Sequence, residues 1–266
     1  MLNKLIKYEI KATARIFIPL YLCLIVFSII SRLVFFIPDE GITLNIRSII
    51  GIISMVVFYT LMIGIQVMTI VVLVQRFYKN LLCDEGYLMF TLPVDTWKHI
   101  VSKLTAAMIW VVLSVIIALI SFVIIMPGEV SKDVIQALQV ELNRVFNYCG
   151  PEDIYYLAIE AIVICVLTIA SSILMVYGAI ALGQLFSKYK LLASFGMYIG
   201  LKTIAQLIGV VFMIVLINIL SKVDIKMPSS FPMQTFFLLI LIYTIIITIG
   251  CFLLTKFILK NKLNLE

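Results

Sequence analysis

Few residues in this chain have the type and spacing to do chemistry. His99 is the single histidine, so the HExxH zinc pattern is excluded and His-based triads have no obvious partner residues. The five cysteines contain no CxxC pair, which removes a disulfide framework and the usual thiol metal sites. None of the twelve glycines is followed by Lys, so the GxxxxGK[ST] loop that cradles nucleotide phosphates is absent, and ATP hydrolysis by that route is excluded. What remains is a handful of polar groups inside long apolar runs. Arg32, Glu160 and Lys202 are ionisable, and Gln66, Gln184, Gln206 and Asn218 are candidates to bridge helices. A charge placed in hydrocarbon is costly, about 2.5 to 3.5 kcal/mol on insertion scales, and so calls for a functional reason. Arg32 and Glu160 fall at similar depths, and either pair with each other or each reach the headgroups; Lys202 can snorkel in the same way.

Those groups are embedded in a chain of 266 residues that is 64% apolar and 13% charged. Soluble domains run nearer 45–50% apolar and about 25% charged, and a globule of this size cannot hide so much apolar surface from water. Lipid is therefore the expected solvent for most of the chain. Six runs are long enough to cross a hydrocarbon layer about 30 Å thick, near residues 16–37, 48–74, 104–126, 154–183, 191–220 and 231–255. They are continuously apolar, without the alternation of barrel strands, so the expected fold is all-α, a polytopic membrane protein with six transmembrane helices. The first run is too long, and lacks the small-residue cleavage pattern, for a cleaved signal peptide.

Lys and Arg set the orientation. With the N-terminus inside, inner segments carry Lys4, Lys7, Lys11, Arg15, Arg76, Lys79, Lys98, Lys103, Lys188, Lys190, Lys256, Lys260 and Lys262, whereas outer connections carry only Arg47, Lys132, Arg144, Lys222 and Lys226. Both termini are thus expected to be cytoplasmic. The net charge of +6 follows from this bias toward anionic inner lipid and carries no nucleic-acid signal.

A single transmembrane domain over 1–266 is expected, with three segments outside the hydrocarbon. In residues 1–15, Leu2, Leu5, Ile6 and Ile10 recur at helical spacing opposite Lys4, Lys7, Lys11 and Arg15, which describes either an amphipathic helix on the inner leaflet or a plain basic flank. Glu9 falls toward the apolar face and calls for a cation or a snorkelling route. Residues 75–103 form the longest cytoplasmic connection, with a helical section ending near Asp84 or Glu85, then Gly86, an apolar run and Pro93. Its Tyr78, Leu81, Leu82, Tyr87, Phe90 and Leu92 call for burial against the bundle ends or against another protein. Residues 127–153 form an outer insertion in which Ser131 can cap a helix with Val134, Leu138, Leu142 and Val145 on one face. Gly178, Ala181 and Gly183 on span four and the Gly196-x-x-x-Gly200 pattern on span five permit close helix contact.

Leu5-Ile-Lys-Tyr-Glu-Ile-Lys11 ahead of the first span, Asp84-Glu85-Gly86-Tyr87 followed by Thr91-Leu92-Pro93-Val94, and Lys103 before span three resemble the permease subunits of ABC-2 type exporters. The six-span topology extends the resemblance over the whole chain. It implies a type V exporter-like architecture in a bacterial plasma membrane. It further implies that Asp84, Glu85, Gly86, Tyr87, Leu92 and Pro93 belong to a coupling region seated in a cytoplasmic ATPase subunit. The chain departs from the family pattern in carrying its long outer insertion between spans three and four rather than five and six.

On this resemblance the expected function is the permease of an ATP-driven exporter for an amphipathic or hydrophobic substrate. It would be paired with a second copy or a related permease, would hold no cofactor and would be no enzyme by itself. The alternatives are an ion-coupled secondary carrier, for which no chain of intramembrane carboxylates or clear repeat is visible, and a noncatalytic membrane scaffold. Arg32, Glu160, Lys202 and Gln206 are the intramembrane polar candidates.

Overall fold

A computed structural model of the chain describes residues 2–36, 44–82, 95–126, 128–148, 151–186, 188–222 and 231–261. Among these the protein is all-helical, with seven helices: α1 (Leu2–Phe36), α2 (Leu44–Leu82), α3 (Thr96–Ile125), α4 (Gly128–Tyr148), α5 (Pro151–Gly183), α6 (Lys190–Lys222) and α7 (Phe231–Asn261). All but α4 are long and apolar enough to cross a membrane, and they coincide with the six runs expected from the sequence. This is the build of a multi-pass membrane protein.

The amphipathic stretch at residues 2–15 and the first span form one uninterrupted 35-residue helix. No Gly or Pro precedes Pro19, so nothing breaks the backbone ladder between them, and Pro19 itself is accommodated inside the helix. At 39 residues α2 is about 58 Å long, well beyond the hydrocarbon thickness, and its last turns carry Arg76 and Lys79. The helical section expected after span two is this extension. α4 begins three residues before Ser131, and its Val134, Leu138 and Leu142 are exposed.

The chain separates into two compact units, Met1–Gln75 with Thr105–Val140, and Arg76–Leu104 with Glu141–Glu266. In the first unit α1 presents Glu9, Thr13, Phe17, Tyr21, Leu24, Ser28 and Ser31 as its buried stripe, at spacings of three and four. Phe17, Tyr21, Leu24, Phe58, Ile65, Val72 and Trp110 make the core of that unit, with the Phe17 and Trp110 rings stacked at 4.6 Å. In the second unit α5 is the central helix, buried almost continuously from Ala170 to Gly183. Gly183 allows the closest approach: a Cβ there would lie 2.7 Å from the Ser194 backbone of α6. Gly178 faces Leu254 and Thr255 of α7, and Ala181 is fully buried. A Cβ on Gly196 or Gly200 would meet nothing within 4 Å, so that motif faces open space in the described chain. The turn into α6 passes through Tyr189, held at a φ of 57°, a left-handed conformation uncommon for a residue with a side chain.

Candidate functional site

The last turns of α2 and the first turns of α3 belong to the second unit, although most of both helices lies in the first. Phe77, fully buried, stacks on Tyr177 of α5 with ring centroids 4.0 Å apart and planes 9° from parallel. The Tyr177 hydroxyl donates to the Lys103 carbonyl of α3 at 3.4 Å. One α5 side chain therefore touches both stems of the connection between α2 and α3. His99, Ile100, Ser102 and Lys103 are buried on the α3 stem, and the Ser102 hydroxyl donates to the His99 carbonyl at 2.9 Å. Asp95 caps α3: its carbonyl accepts from the Lys98 N–H at 3.0 Å and its carboxylate lies 2.9 Å from the Lys98 ammonium. The Lys98 hydrogen bond, then its charge, hold the Asp95 carboxyl below the usual carboxylate range, with a smaller contribution from Lys256.

Asp84, Glu85, Gly86, Tyr87, Leu92 and Pro93 lie outside the described residues; the stems on either side of them are described.

The first unit contains a buried polar seam. Trp110 Nε1 donates to Thr13 Oγ1 at 2.6 Å, and the Thr13 hydroxyl donates to the Glu9 carbonyl at 2.7 Å. The Tyr21 hydroxyl meets Ser114 Oγ at 2.7 Å, and Ser114 Oγ meets Thr69 Oγ1 at 3.0 Å. Thr69 also lies 2.8 Å from the Ile65 carbonyl, which can only accept. Thr69 thus donates to Ile65 and Ser114 to Thr69, while the Tyr21 hydroxyl faces both Ser114 Oγ at 2.7 Å and the Trp110 carbonyl at 3.3 Å, a chain that ties α1, α3 and α2 together. Further along, Ser31 Oγ and Ser121 Oγ are buried without a hydrogen-bond partner among the described residues.

The intramembrane polar residues are placed as follows. Arg32 donates from Nη1 to the Ile124 carbonyl at 3.1 Å, and Glu160 carries a buried Oε2 with no hydrogen-bond partner among the described residues. Lys202 and Gln206, one turn apart on α6, are both exposed. Among the described residues no group of three or more His, Cys, Asp or Glu side chains is placed to hold a metal ion.

Sequence reasoning missed Phe77 and Tyr177 as a pair and missed the whole seam. The seam had a legible signal: Thr13, Tyr21 and Ser28 recur on one side of an apolar helix, and Ser114 and Ser121 repeat at seven residues. The stacked pair had none, because nothing local to either ring announces a partner one hundred residues away.

Compared with protein-family models, with curated proteins and with solved structures, the chain matches none of them.

Proposed function

We propose that this chain is the membrane-spanning permease subunit of an ATP-driven exporter of the ABC-2 type, working in a bacterial plasma membrane with both termini cytoplasmic. The observation that carries the reading is the rooting of both stems of the 75–103 connection in the α5–α7 unit, through Phe77, Tyr177 and the Lys103 carbonyl. Such anchorage fits a connection that receives a mechanical stroke. The Lys and Arg bias supports a cytoplasmic side for that connection, where nucleotide is available. The chain lacks a phosphate-binding loop of its own, so the energy comes from a partner ATPase.

In this mechanism the coupling residues Asp84, Glu85, Gly86 and Tyr87, with Leu92 and Pro93 at the return turn, seat in the ATPase. Closure of paired ATPases around ATP displaces the connection, and the stacked Phe77 and Tyr177 rings pass the displacement to α5. A second copy or a related permease completes the pathway. The substrate is amphipathic or hydrophobic.

Purification of the tagged protein from its own host in mild detergent tests the reading. An ATP-binding protein is expected to accompany the wild type and to be depleted from a Glu85→Ala, Tyr87→Ala double variant that keeps its thermal stability. Repeated recovery of folded protein with no ATPase would contradict it.

A further inference from the structure

Among the described residues α4 is the helix that no neighbour covers. Every residue from Lys132 to Arg144 is exposed, on all sides of the helix, whereas each of the six apolar helices carries buried positions. At about 100° per residue, Val134, Leu138, Leu142 and Ile135 fall within an arc of about 100°. Lys132, Asp133, Gln136, Asn143 and Arg144 fall on the other side, where Val140 is the apolar exception. Glu141 stands at the border of the two faces and accepts from Arg144 Nη1 at 2.7 Å. The helix is amphipathic, and the chain leaves its apolar face open.

The connections decide how α4 lies. Only Met126 and Pro127 separate it from α3, and only Cys149 and Gly150 separate it from α5. The apolar span of α3 runs to Ile125 and that of α5 starts at Ile154, while α4 itself is too polar to cross, so both its ends are held at one face of the membrane. A helix of 21 residues is about 31 Å long, and a two-residue link reaches at most about 11 Å. Standing along the membrane normal, α4 would carry its far end out of reach of the next span. It therefore lies along the membrane face, where the acyl boundary is the apolar medium next to it.

We propose that α4 is an interfacial helix, seated with Val134, Ile135, Leu138 and Leu142 in the headgroup–acyl boundary of the leaflet where α3 ends and α5 begins. Its partner is a lipid surface, and a neutral one suffices. Lys132 and Arg144 are set against Glu129, Asp133 and Glu141, so anionic headgroups add no net attraction and apolar burial supplies the binding. The seating depends neither on which side of the membrane this leaflet faces nor on the exporter reading. The spacing of Ile135, Leu138 and Leu142 is also that of a helix–helix seam, which makes a second copy the competing occupant.

The test places an environment-sensitive fluorescent amino acid at Leu138 or at Gln136, on opposite sides of α4, in the full chain reconstituted into phosphatidylcholine vesicles. Both positions are exposed, so neither probe disturbs a packed core. Phosphatidylcholine brominated on its acyl chains is expected to quench the probe at Leu138 several-fold more strongly than the probe at Gln136, and equally well at low and high salt. Equal quenching at the two positions, or quenching at Leu138 that requires phosphatidylglycerol, would overturn the proposal. So would a photoreactive residue at Leu138 that crosslinks to a second copy in place of lipid, which would assign the face to self-association.

Discussion

Phe77 and Tyr177 are one hundred residues apart in sequence and stack face to face at 4.0 Å, both essentially excluded from solvent. The pair joins the far end of α2 to the central helix of the α5–α7 unit. Because Tyr177 also reaches the Lys103 carbonyl, the entry and exit of the connection after α2 are held by the same side chain. In the proposed exporter this is the joint through which a stroke on the connection reaches α5.

The joint separates into two contributions. Phe77→Ala removes a fully buried ring and leaves a cavity against Tyr177, at a cost of about 3 kcal/mol. Tyr177→Phe keeps the stack and loses only a long hydrogen bond, at a cost of about 1 kcal/mol or less. Thermal unfolding in detergent ranks the two. ATPase activity of the purified complex, measured on Tyr177→Phe, then reports coupling without the confounding loss of fold.

Ser114 is the middle of the seam in the first unit, hydrogen-bonded to both Tyr21 and Thr69. Ser114→Ala and Tyr21→Phe are each expected to destabilise by about 1 kcal/mol, near the upper part of the range for interhelical hydrogen bonds in membranes. Since they break the same bond, the double variant should cost less than the sum. Strict additivity in a double-mutant cycle would mean that the hydroxyls do not pair.

Asp95 gives a pH dependence of known sign. Its carboxyl is held below the ordinary range by Lys98, so the folded state binds the proton less readily than the unfolded chain. The stabilisation is fully present above the unfolded value of about 3.9 and is lost as pH falls through the depressed folded value. Asp95→Asn is therefore expected to be less stable than wild type at pH 7 and to converge with it on acidification below about pH 4. A difference that stays constant down to acid pH would assign the effect to capping geometry rather than charge. The group is exposed, so the effect is small.

The glycines divide by what stands opposite them. Gly183→Ala places a methyl group 2.7 Å from the Ser194 backbone and should severely destabilise the α5–α6 pair, because backbone cannot give way as a flexible side chain does. Gly200→Ala meets nothing within 4 Å and should hold or slightly raise the thermal midpoint of the chain, because alanine favours helix over glycine. Comparing the two by size-exclusion and thermal melts in one detergent checks the contrast. A fall in self-association confined to Gly200→Ala would assign the open Gly196 and Gly200 face to a second copy.

Much of the architecture was legible because it rests on the strongest signal a sequence carries, long apolar runs punctuated by Lys, Arg, Pro and Gly. All six spans and the amphipathic helix after Pro127 follow from that pattern. The contacts of Gly178 and Gly183 were legible for a related reason, since small residues mark close approach wherever helices pack. The division into two units was not. Its boundaries at Gln75 and Thr105 fall inside continuous helices, where no residue breaks the backbone and no composition shift marks the crossing. The seam was missed because isolated Thr, Ser and Tyr in an apolar run resemble tolerated background until three helices bring them together. Lys202 and Gln206 were named from the sequence; that both are exposed on a helix whose neighbouring face is packed emerged only from the fold.

The measurement that bears most directly on the exporter account is site-specific photocrosslinking in living cells from a photoreactive residue at Tyr87, with Leu138 as the comparison position. Tyr87 sits in the proposed coupling connection, and Leu138 is exposed on α4, on the opposite side of the membrane in the proposed orientation. The account predicts that Tyr87 crosslinks to an ATP-binding protein and Leu138 does not. Crosslinking of Leu138 to such a protein, or repeated failure of Tyr87 to reach one in a correctly inserted chain, would contradict it.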